Sequence, residues 1–246
     1  MIAVVGSTHD DVLYFESIMA NKKQEVIFNR FNITIGTIFN QEVLLMYDLY
    51  TSVLSASLIT YILEKHYISL VFNVGKCVAI DKKFKTGDII ISNRVVDVNV
   101  DLTKVTHVDL GQIPGFKRVF EVQKDIITYT REGVHKRTYA AATNATFLSS
   151  DNLSDEVLNK LRENRAIFGE NNDLVFDSTS AGVALACTLK DTPFIIVKSI
   201  ERPLEKEGDI ETYLKVLDSY IDLGKAVVST IGDIGRADIL KGGFTV

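Results

Sequence analysis

Residues 174–202 contain the pattern that most restricts the fold of this chain. Two short apolar segments, 174–177 and 194–200, flank residues 178–190, which are rich in small side chains and have the length of a helix. Two buried strands joined by one helix are typical of a βαβ unit in a parallel sheet. Ligands of open α/β sheets bind at the carboxyl ends of the strands, so we expect a site there. The residues at these two ends are Asp177, Ser178, Thr179, Glu201 and Arg202.

The rest of the chain predicts an α/β protein in which strands and helices alternate after an initial β-meander. The predicted strands are 1–5, 25–30, 32–39, 42–47, 68–74 ending at Gly75, a long extended stretch from Gly87, 116–122, 137–144, 174–177 and 194–200. The predicted helices include 12–19, 51–64, 123–130, 155–164, 178–190 and 209–230. Residues 103–115 form a polar connection that is long enough to suggest a functional loop. No linker, repeat or low-complexity tract divides the chain, so we expect one domain over residues 1–246.

Composition argues against several classes of protein. The net charge is −5, which disfavours a nucleic-acid interface because phosphate binding needs clustered Lys and Arg. No apolar run reaches the roughly 18 residues that span a bilayer, and the first residues lack the basic region of a signal peptide. We therefore expect a cytoplasmic protein without membrane contact. Cys77 and Cys187 are expected to be buried free thiols, and no Cys or His spacing indicates a metal or another cofactor.

Six segments spread over the chain carry a resemblance to a known family. They are IAVVGSTHDDV at 2–12, LVFNVGKCVAIDKKFKTGDIIIS at 70–92, GQIPG at 111–115, ATFLSS at 145–150, VFDSTSAGVALAC at 175–187 and TPFIIVKSI at 192–200. In these segments the chain resembles the nucleoside phosphorylase and nucleosidase superfamily, and within it the 5′-methylthioadenosine/S-adenosylhomocysteine nucleosidases. The resemblance implies a three-layer α/β/α fold with a central mixed, partly barrel-like sheet and a purine nucleoside-like ligand. It also implies a homodimer in which the GQIPG loop of one subunit closes the partner's pocket.

Cleavage of a purine N-glycosidic bond needs an acid for the purine, a carboxylate that activates water and an acceptor for the ribose hydroxyls. On the family pattern, the water-activating Glu falls on Asp11, which is one methylene shorter. The proton-donating Asp falls on Arg202, with Glu201 one place earlier, and an Arg cannot release its proton near neutral pH. The ribose-binding Glu falls on Thr179, and a second Glu of the same segment falls on Asp177.

The resemblance also assigns residues to substrate binding. Phe147 falls on an aromatic residue that stacks on adenine, and Leu148 beside it supplies backbone hydrogen bonds to the base. Gly75 is the glycine that remains of one Gly-rich turn, and Lys76 after it could meet a phosphate or point into solvent. A second Gly-rich turn is replaced by DLYTS at 48–52, whose bulky side chains are expected to crowd the ligand.

Several of these residues also have a plainer structural interpretation. Asp11 is placed to complement the dipole of a helix, and Asp177 is placed to cap the helix that follows it. Glu201 and Arg202 could form an ordinary surface ion pair, which would contribute little to stability. Phe147 could be a core residue.

Three functions are compatible with these residues. The first is a purine nucleoside N-ribohydrolase of the methylthioadenosine/adenosylhomocysteine nucleosidase type, with reduced or altered activity. In it, Asp11 would be the base, Thr179 would bind the ribose, and Glu201 or Arg202 would face the purine. The second is a catalytically inactive nucleoside-binding or interaction protein on the same fold, which the replaced acid and ribose-binding residues suggest. The third, a nucleoside phosphorylase, needs an anion site, for which the chain supplies little beyond Lys76.

Overall fold

A computed structural model describes residues 1–137, 142–152, 154–169, 173–203 and 210–236. The strands are β1 (Ile2–Val5), β2 (Ala20–Ile27), β3 (Phe31–Ile38), β4 (Gln41–Met46), β5 (Leu70–Ala79), β6 (Ile89–Asp97), β7 (Phe120–Glu121), β8 (Ala142–Ser149), β9 (Leu174–Asp177) and β10 (Phe194–Pro203). The α-helices are α1 (His9–Ile18), α2 (Ser52–Lys65), α3 (Lys124–Arg137), α4 (Asp155–Glu163), α5 (Ser180–Leu189) and α6 (Ile210–Arg236). Among the described helices, none is both long and apolar enough to cross a membrane.

These strands form one mixed sheet that partly closes on itself. The strand order is β10-β6-β8-β9-β5-β1-β4-β3-β2, with β7 beside β6. Because β10 also pairs with β5, the strands β5, β10, β6, β8 and β9 form a closed ring. The remaining strands continue from β5 as an open sheet, in which β1 is parallel to β4 and β5. The predicted α/β fold with a mixed, partly barrel-like sheet is confirmed.

The central strands are buried on both faces. Every residue of β1 is buried, and so is every residue of β5 except Lys76. Strands covered by helices on both sides are nearly continuous apolar runs, which is why their sequence predicted them well. Helices α2 and α5 pack together, and α1 and α3 pack against α6. Polar residues that interrupt the apolar runs while staying buried include Asn73 in β5 and Lys198 in β10.

Hydrogen bonds at helix starts agree with the predicted boundaries. The hydroxyl of Thr51 accepts a hydrogen bond from the backbone N–H of Leu54 at 3.2 Å, which caps α2. The hydroxyl of Ser154 accepts one from the backbone N–H of Val157 at 3.4 Å, so Ser154 is the predicted cap of α4. Each of these bonds satisfies one of the N–H groups that a helix start leaves without an intrahelical partner.

The predicted βαβ arrangement of β9, α5 and β10 is wrong in one respect. The two strands are not parallel neighbours, because β5 lies between them. It pairs antiparallel with β9 through Val78 and Ala79 and parallel with β10 along most of its length. An apolar run indicates that a strand is buried, but it contains no information on the partner or its direction. The ends of β9 and β10 nevertheless meet at the same place, as the following section describes.

Several predicted strand boundaries also need correction. The strand predicted at 25–30 is observed as β2, Ala20–Ile27, and residues 28–30 form a turn. Strand β5 does not end at Gly75 but continues to Ala79, because Gly75 adopts a φ of 133°, a conformation open to glycine. The strand predicted at 137–144 is observed as β8, Ala142–Ser149, after a longer α3. Residues 138–141 lie outside the described part of the chain.

Candidate active site

A cleft of about 240 Å³ lies where β5, β9 and β10 meet. The residues that line it include Ser7 after β1, Lys76 in β5, Asp177 and Ser178 at the end of β9, and Lys198 and Glu201 in β10. Four of the residues predicted for the site, Lys76, Asp177, Ser178 and Glu201, are therefore brought together at this cleft, although β9 and β10 are not adjacent strands.

A buried ion pair between Lys198 and Asp177 forms the floor of the cleft. The Lys198 side chain is 1% exposed and the Asp177 side chain 3%. The Lys198 ammonium group also donates a hydrogen bond to the hydroxyl of Thr179 at 2.8 Å. Ser180 donates its hydroxyl to Oδ2 of Asp177 at 2.5 Å, and the Thr179 hydroxyl lies 3.3 Å from both that atom and Oδ1 of Asn73. Buried charges are tolerated when they are paired and hydrogen-bonded in this way.

Asp177 both caps a helix and lines the cleft, whereas Thr179 is not placed for the ribose binding that was predicted for it. Asp177 accepts a hydrogen bond from the backbone N–H of Ser180 at the start of α5, and its carboxylate also lines the cleft. Thr179 is fully buried and does not line the cleft. Asp177 is therefore better placed than Thr179 to meet a ligand.

Lys198 was not singled out from the sequence. The signal for it is present, because a lysine within the apolar run FIIVKSI is unusual in a strand that is buried on both faces. Its partner could not be read from the sequence, since Asp177 lies in a different strand and the contact depends on ring closure.

Asp11 is almost completely buried, with 4% of its surface exposed. Its Oδ2 atom accepts hydrogen bonds from the backbone N–H groups of Ser7 and Thr8, both at 2.8 Å, which fixes the carboxylate at the start of α1. Its Oδ1 atom has no hydrogen-bond partner among the described residues. The carboxylate thus uses one oxygen to stabilise its own helix and keeps the other oxygen free.

Burial raises the pKa of Asp11, because desolvation disfavours the charged carboxylate. The N–H of Thr8, the charge of Lys198, the N–H of Ser7 and the hydroxyl of Tyr220 oppose this effect. A carboxylate with a raised pKa is a stronger base than an exposed one, so Asp11 is suited to accept a proton.

Gly75 gives Asp11 the space it occupies. A Cβ atom at position 75 would lie 2.9 Å from Oδ2 and 3.0 Å from Cγ of Asp11. Since both atoms belong to a buried, hydrogen-bonded carboxylate, a larger residue would displace it. The structure therefore connects Gly75 to the site through Asp11.

Glu201 reaches the cleft from an irregularity in β10. The pairing register with β5 shifts between Ile200 and Arg202, so Glu201 is an extra residue of the kind found at a β-bulge. Its carboxylate lies 3.3 Å from the ammonium group of Lys76, and both side chains are partly exposed. The partner of Glu201 seen here is thus Lys76. The side chain of Arg202 lies outside the described residues.

Ser178 connects the cleft to the start of α2. Its hydroxyl donates a hydrogen bond to the carbonyl of Tyr50 at 3.0 Å, and its own carbonyl accepts one from Ser52 at 3.3 Å. Leu49 is fully buried in the core and does not line the cleft, whereas Tyr50 is 54% exposed.

Phe147 and Leu148 lie in β8, one of the strands of the ring. Both residues are fully buried and pack in separate hydrophobic clusters on the two faces of β8. Neither lines the cleft. Their assigned roles in stacking on a purine and binding its edge stay predictions. Within the described part of the chain, no group of three or more His, Cys, Asp or Glu side chains could hold a metal ion.

Comparison with known proteins adds to this geometry. The 5′-methylthioadenosine/S-adenosylhomocysteine nucleosidase of Bacillus velezensis is 26% identical over 210 residues, which is 85% of this chain and 88% of the relative. The solved structure of the nucleosidase of the same name from Neisseria meningitidis, in complex with methylthio-immucillin-A, has a TM-score of 0.84. It is 22% identical and covers 94% of this chain and 98% of its own. The corresponding structure from Colwellia psychrerythraea, in complex with adenine, has a TM-score of 0.84 at 20% identity, with 94% of each chain covered.

The solved structures show that the fold is shared over nearly the whole chain. A family model described as the phosphorylase superfamily matches residues 1–231. That match includes every described element that contributes to the cleft, from β1 to most of α6. The chain therefore belongs to the phosphorylase superfamily.

Proposed function

We propose that this protein is a purine nucleoside N-ribohydrolase of the methylthioadenosine/adenosylhomocysteine nucleosidase type. The observation that carries the proposal is Asp11, a buried carboxylate whose Oδ1 atom has no hydrogen-bond partner among the described residues. Its Oδ2 atom is bound by the N–H of Ser7, which lines the cleft together with Lys198. The relatives at about one-quarter identity are named as nucleosidases of this type, which supports the choice of reaction.

In the proposed reaction, Asp11 accepts a proton from a water molecule while the water oxygen attacks C1′ of the ribose. The bond between C1′ and the purine nitrogen breaks, and its electron pair leaves with the purine, which takes up a proton. The transition state has the character of a ribosyl cation, so negative charge near the sugar stabilises it. Asp177 lines the cleft, where its carboxylate, paired with Lys198, is placed to accept hydrogen bonds from ribose hydroxyls. Glu201 is the carboxyl group that we place nearest the purine.

A nucleoside-binding protein without catalytic activity is a second candidate. The observation that favours it is the ion pair between Glu201 and Lys76, which occupies the carboxylate that we place at the purine. The burial of Thr179 within the Lys198 network points the same way, because Thr179 is then not available to the sugar. A phosphorylase is less well supported, since Lys76 is already paired with Glu201 and a phosphate would have to compete with that carboxylate.

One set of incubations distinguishes these candidates. The protein is incubated at high concentration with methylthioadenosine or adenosylhomocysteine, with and without phosphate, and the products are separated by chromatography. A hydrolase releases adenine and a free sugar in both buffers. A phosphorylase releases a sugar 1-phosphate only when phosphate is present. A binding protein releases no adenine but unfolds at a higher temperature with the nucleoside, because a ligand that binds only the folded state stabilises it.

We also infer a homodimer and a cytoplasmic location. The dimer is supported by two exposed apolar side chains. Val53, in the first turn of α2, is 74% exposed, and Val105, in the loop after β6, is 79% exposed. Sedimentation equilibrium of the full chain tests it, with Val53→Glu and Val105→Glu expected to shift the mass to that of a monomer. The location is supported by two buried free thiols, Cys77 and Cys187, which are typical of a reducing compartment. Cell fractionation tests it.

A further inference from the structure

Tyr220 in α6 is a buried residue with an unsatisfied hydroxyl. The residue is 8% exposed, and its Oη atom has no hydrogen-bond partner among the described residues. Oδ1 of Asp11 is in the same situation, and Asp11 is 4% exposed. A buried polar group that lacks a partner is destabilising, and such groups in native proteins call for an explanation. Two of them occur here on neighbouring elements.

The packing of α6 against α1 places the two groups together. Gly224 lies directly under Tyr14, since a Cβ atom at position 224 would be 2.4 Å from Cδ1 of that ring. Tyr220 is one helical turn before Gly224, and Asp11 is nearly one turn before Tyr14. Residues three or four apart lie on the same helix face, so Asp11 and Tyr220 lie on the faces through which the two helices pack, and the carboxylate of Asp11 acts on the Tyr220 hydroxyl.

The ring of Tyr220 is fixed from two further sides. The neighbouring Ser219 accepts a hydrogen bond from the Ser199 hydroxyl of β10 at 2.6 Å, which anchors this turn of α6 to the sheet. The ammonium group of Lys76 lies 5.7 Å from the centre of the Tyr220 ring, within the range of a cation–π contact. The phenol therefore lies beside Lys76, a residue that lines the cleft.

We propose that Tyr220 is a positioning residue for Asp11: its hydroxyl donates to the carboxylate of Asp11 and holds that carboxylate charged and oriented. This inference deepens the proposed function and rests on it, because it makes Tyr220 necessary for the activity of the base. A phenol that is buried among carboxylates stays protonated, since desolvation and the charge of Asp11 raise the pKa of Tyr220. It can therefore act as a donor throughout the working pH range.

The direction in which Tyr220 shifts the pKa of Asp11 follows from the groups around these two side chains. Those that act on Asp11 are the N–H groups of Ser7 and Thr8, the ammonium group of Lys198 and the hydroxyl of Tyr220. Those that face Tyr220 are Asp11, Glu201, Asp10 and Lys76. Since the Tyr220 hydroxyl favours the charged form of Asp11, its removal raises the pKa of Asp11 further. The base then loses its proton only at higher pH.

Tyr220→Phe tests this inference, because it removes one oxygen and keeps the ring. We expect kcat for adenine release to fall about 10-fold, KM to change less than about twofold, and the acidic limb of the pH–rate profile to move to higher pH. Tyr129→Phe, in a partly buried residue of α3 packed on the main core, is the matched control and should leave all three unchanged. A purely structural role for Tyr220 would lower stability without moving the acidic limb, and that result would overturn the proposal.

A second measurement does not depend on activity. The carboxyl carbons of Asp are labelled with ¹³C, the Asp11 signal is assigned by its loss in Asp11→Asn, and its pKa is measured by NMR in wild-type protein and in Tyr220→Phe. A higher pKa in Tyr220→Phe supports the interaction even if the wild-type protein releases no adenine, in which case only the proposed reaction fails. Equal pKa values in the two proteins refute the interaction whatever the activity.

Discussion

At the scale of single residues, Lys198 and Asp177 are the pair on which the candidate site depends. Both side chains are almost fully buried, and their remaining polar atoms are hydrogen-bonded to Thr179 and Ser180. Removing one partner of such a pair leaves a buried charge without compensation, whereas removing both can be nearly neutral. Removing one partner is thus expected to lower the free energy of unfolding strongly, whereas replacing both should change it little.

Lys198→Met should lower the free energy of unfolding by about 3–5 kcal/mol, because it leaves the carboxylate of Asp177 unpaired. Asp177→Asn combined with Lys198→Met should recover most of that loss, since the amide keeps a hydrogen-bond acceptor for Ser180. Urea unfolding of the two single variants and the double variant measures the coupling. If Lys198→Met unfolds within about 1 kcal/mol of the wild-type protein, the buried ion pair does not exist in solution.

The raised pKa of Asp11 predicts how the stability of the protein depends on pH. Its pKa is raised in the folded state, so the folded protein holds this proton more tightly than the unfolded chain, and the protein loses stability as pH rises through the raised pKa. Asp11→Asn removes that charge and keeps an oxygen for the N–H groups of Ser7 and Thr8. We expect the variant to unfold at a higher temperature than wild type at pH 7, with a difference that disappears below about pH 4, the pKa of an unfolded Asp. Calorimetry across this range checks it, and equal melting temperatures at pH 7 would contradict it.

At the scale of elements, the site depends on β5 continuing through Gly75. This residue has a φ of 133° and leaves no room for a Cβ atom beside Asp11. Because β5 continues past Gly75, Lys76 lies in the strand and reaches Glu201. Because residue 75 has no side chain, the carboxylate of Asp11 can lie against the strand. The same glycine therefore sets the course of the strand and the position of the carboxylate.

Gly75→Ala should cost about 1–3 kcal/mol of stability from backbone strain, with a further loss of activity because the new Cβ atom displaces Asp11. Gly169→Ala is the matched control, since Gly169 also has a positive φ, 96°, but does not line the cleft. The control should show only the cost in stability, about 1 kcal/mol. Urea unfolding and the rate of adenine release separate the two effects. Equal activity in both variants would show that Gly75 does not position Asp11.

At the scale of the whole molecule, the sequence predicted what depends on local patterns. Apolar runs located nearly every described strand, and residue types at helix starts located the caps, because burial and capping are encoded by neighbouring residues. The partners of β9 and β10 were predicted wrongly, since pairing through β5 joins residues about 100 positions apart. The strand β8 was displaced because α3 is longer than its apolar pattern indicated.

The residues of the candidate site were likewise predicted only in part. Resemblance to a family pointed to Asp11, to Asp177 and to the pair Glu201 and Arg202. Asp177 and Glu201 line the cleft, and Asp11 is hydrogen-bonded to Ser7, which also lines it. Lys198 was missed, although a lysine in an apolar strand is a visible signal, because its meaning depends on the carboxylate that it meets. The sequence did not single out Tyr220, because a tyrosine on an amphipathic helix is common. Its relation to Asp11 depends on the packing of α6 against α1.

The central claim is that Asp11 activates water for cleavage of a purine nucleoside. It is tested most directly by the initial rate of adenine release from methylthioadenosine, measured at pH 7 with wild-type protein and with Asp11→Asn at equal concentration. We predict that the wild-type protein releases adenine without phosphate and that Asp11→Asn, while folded, is at least about 100-fold slower. Equal rates in the two proteins, or no adenine from the wild-type protein at high concentration, would contradict the claim.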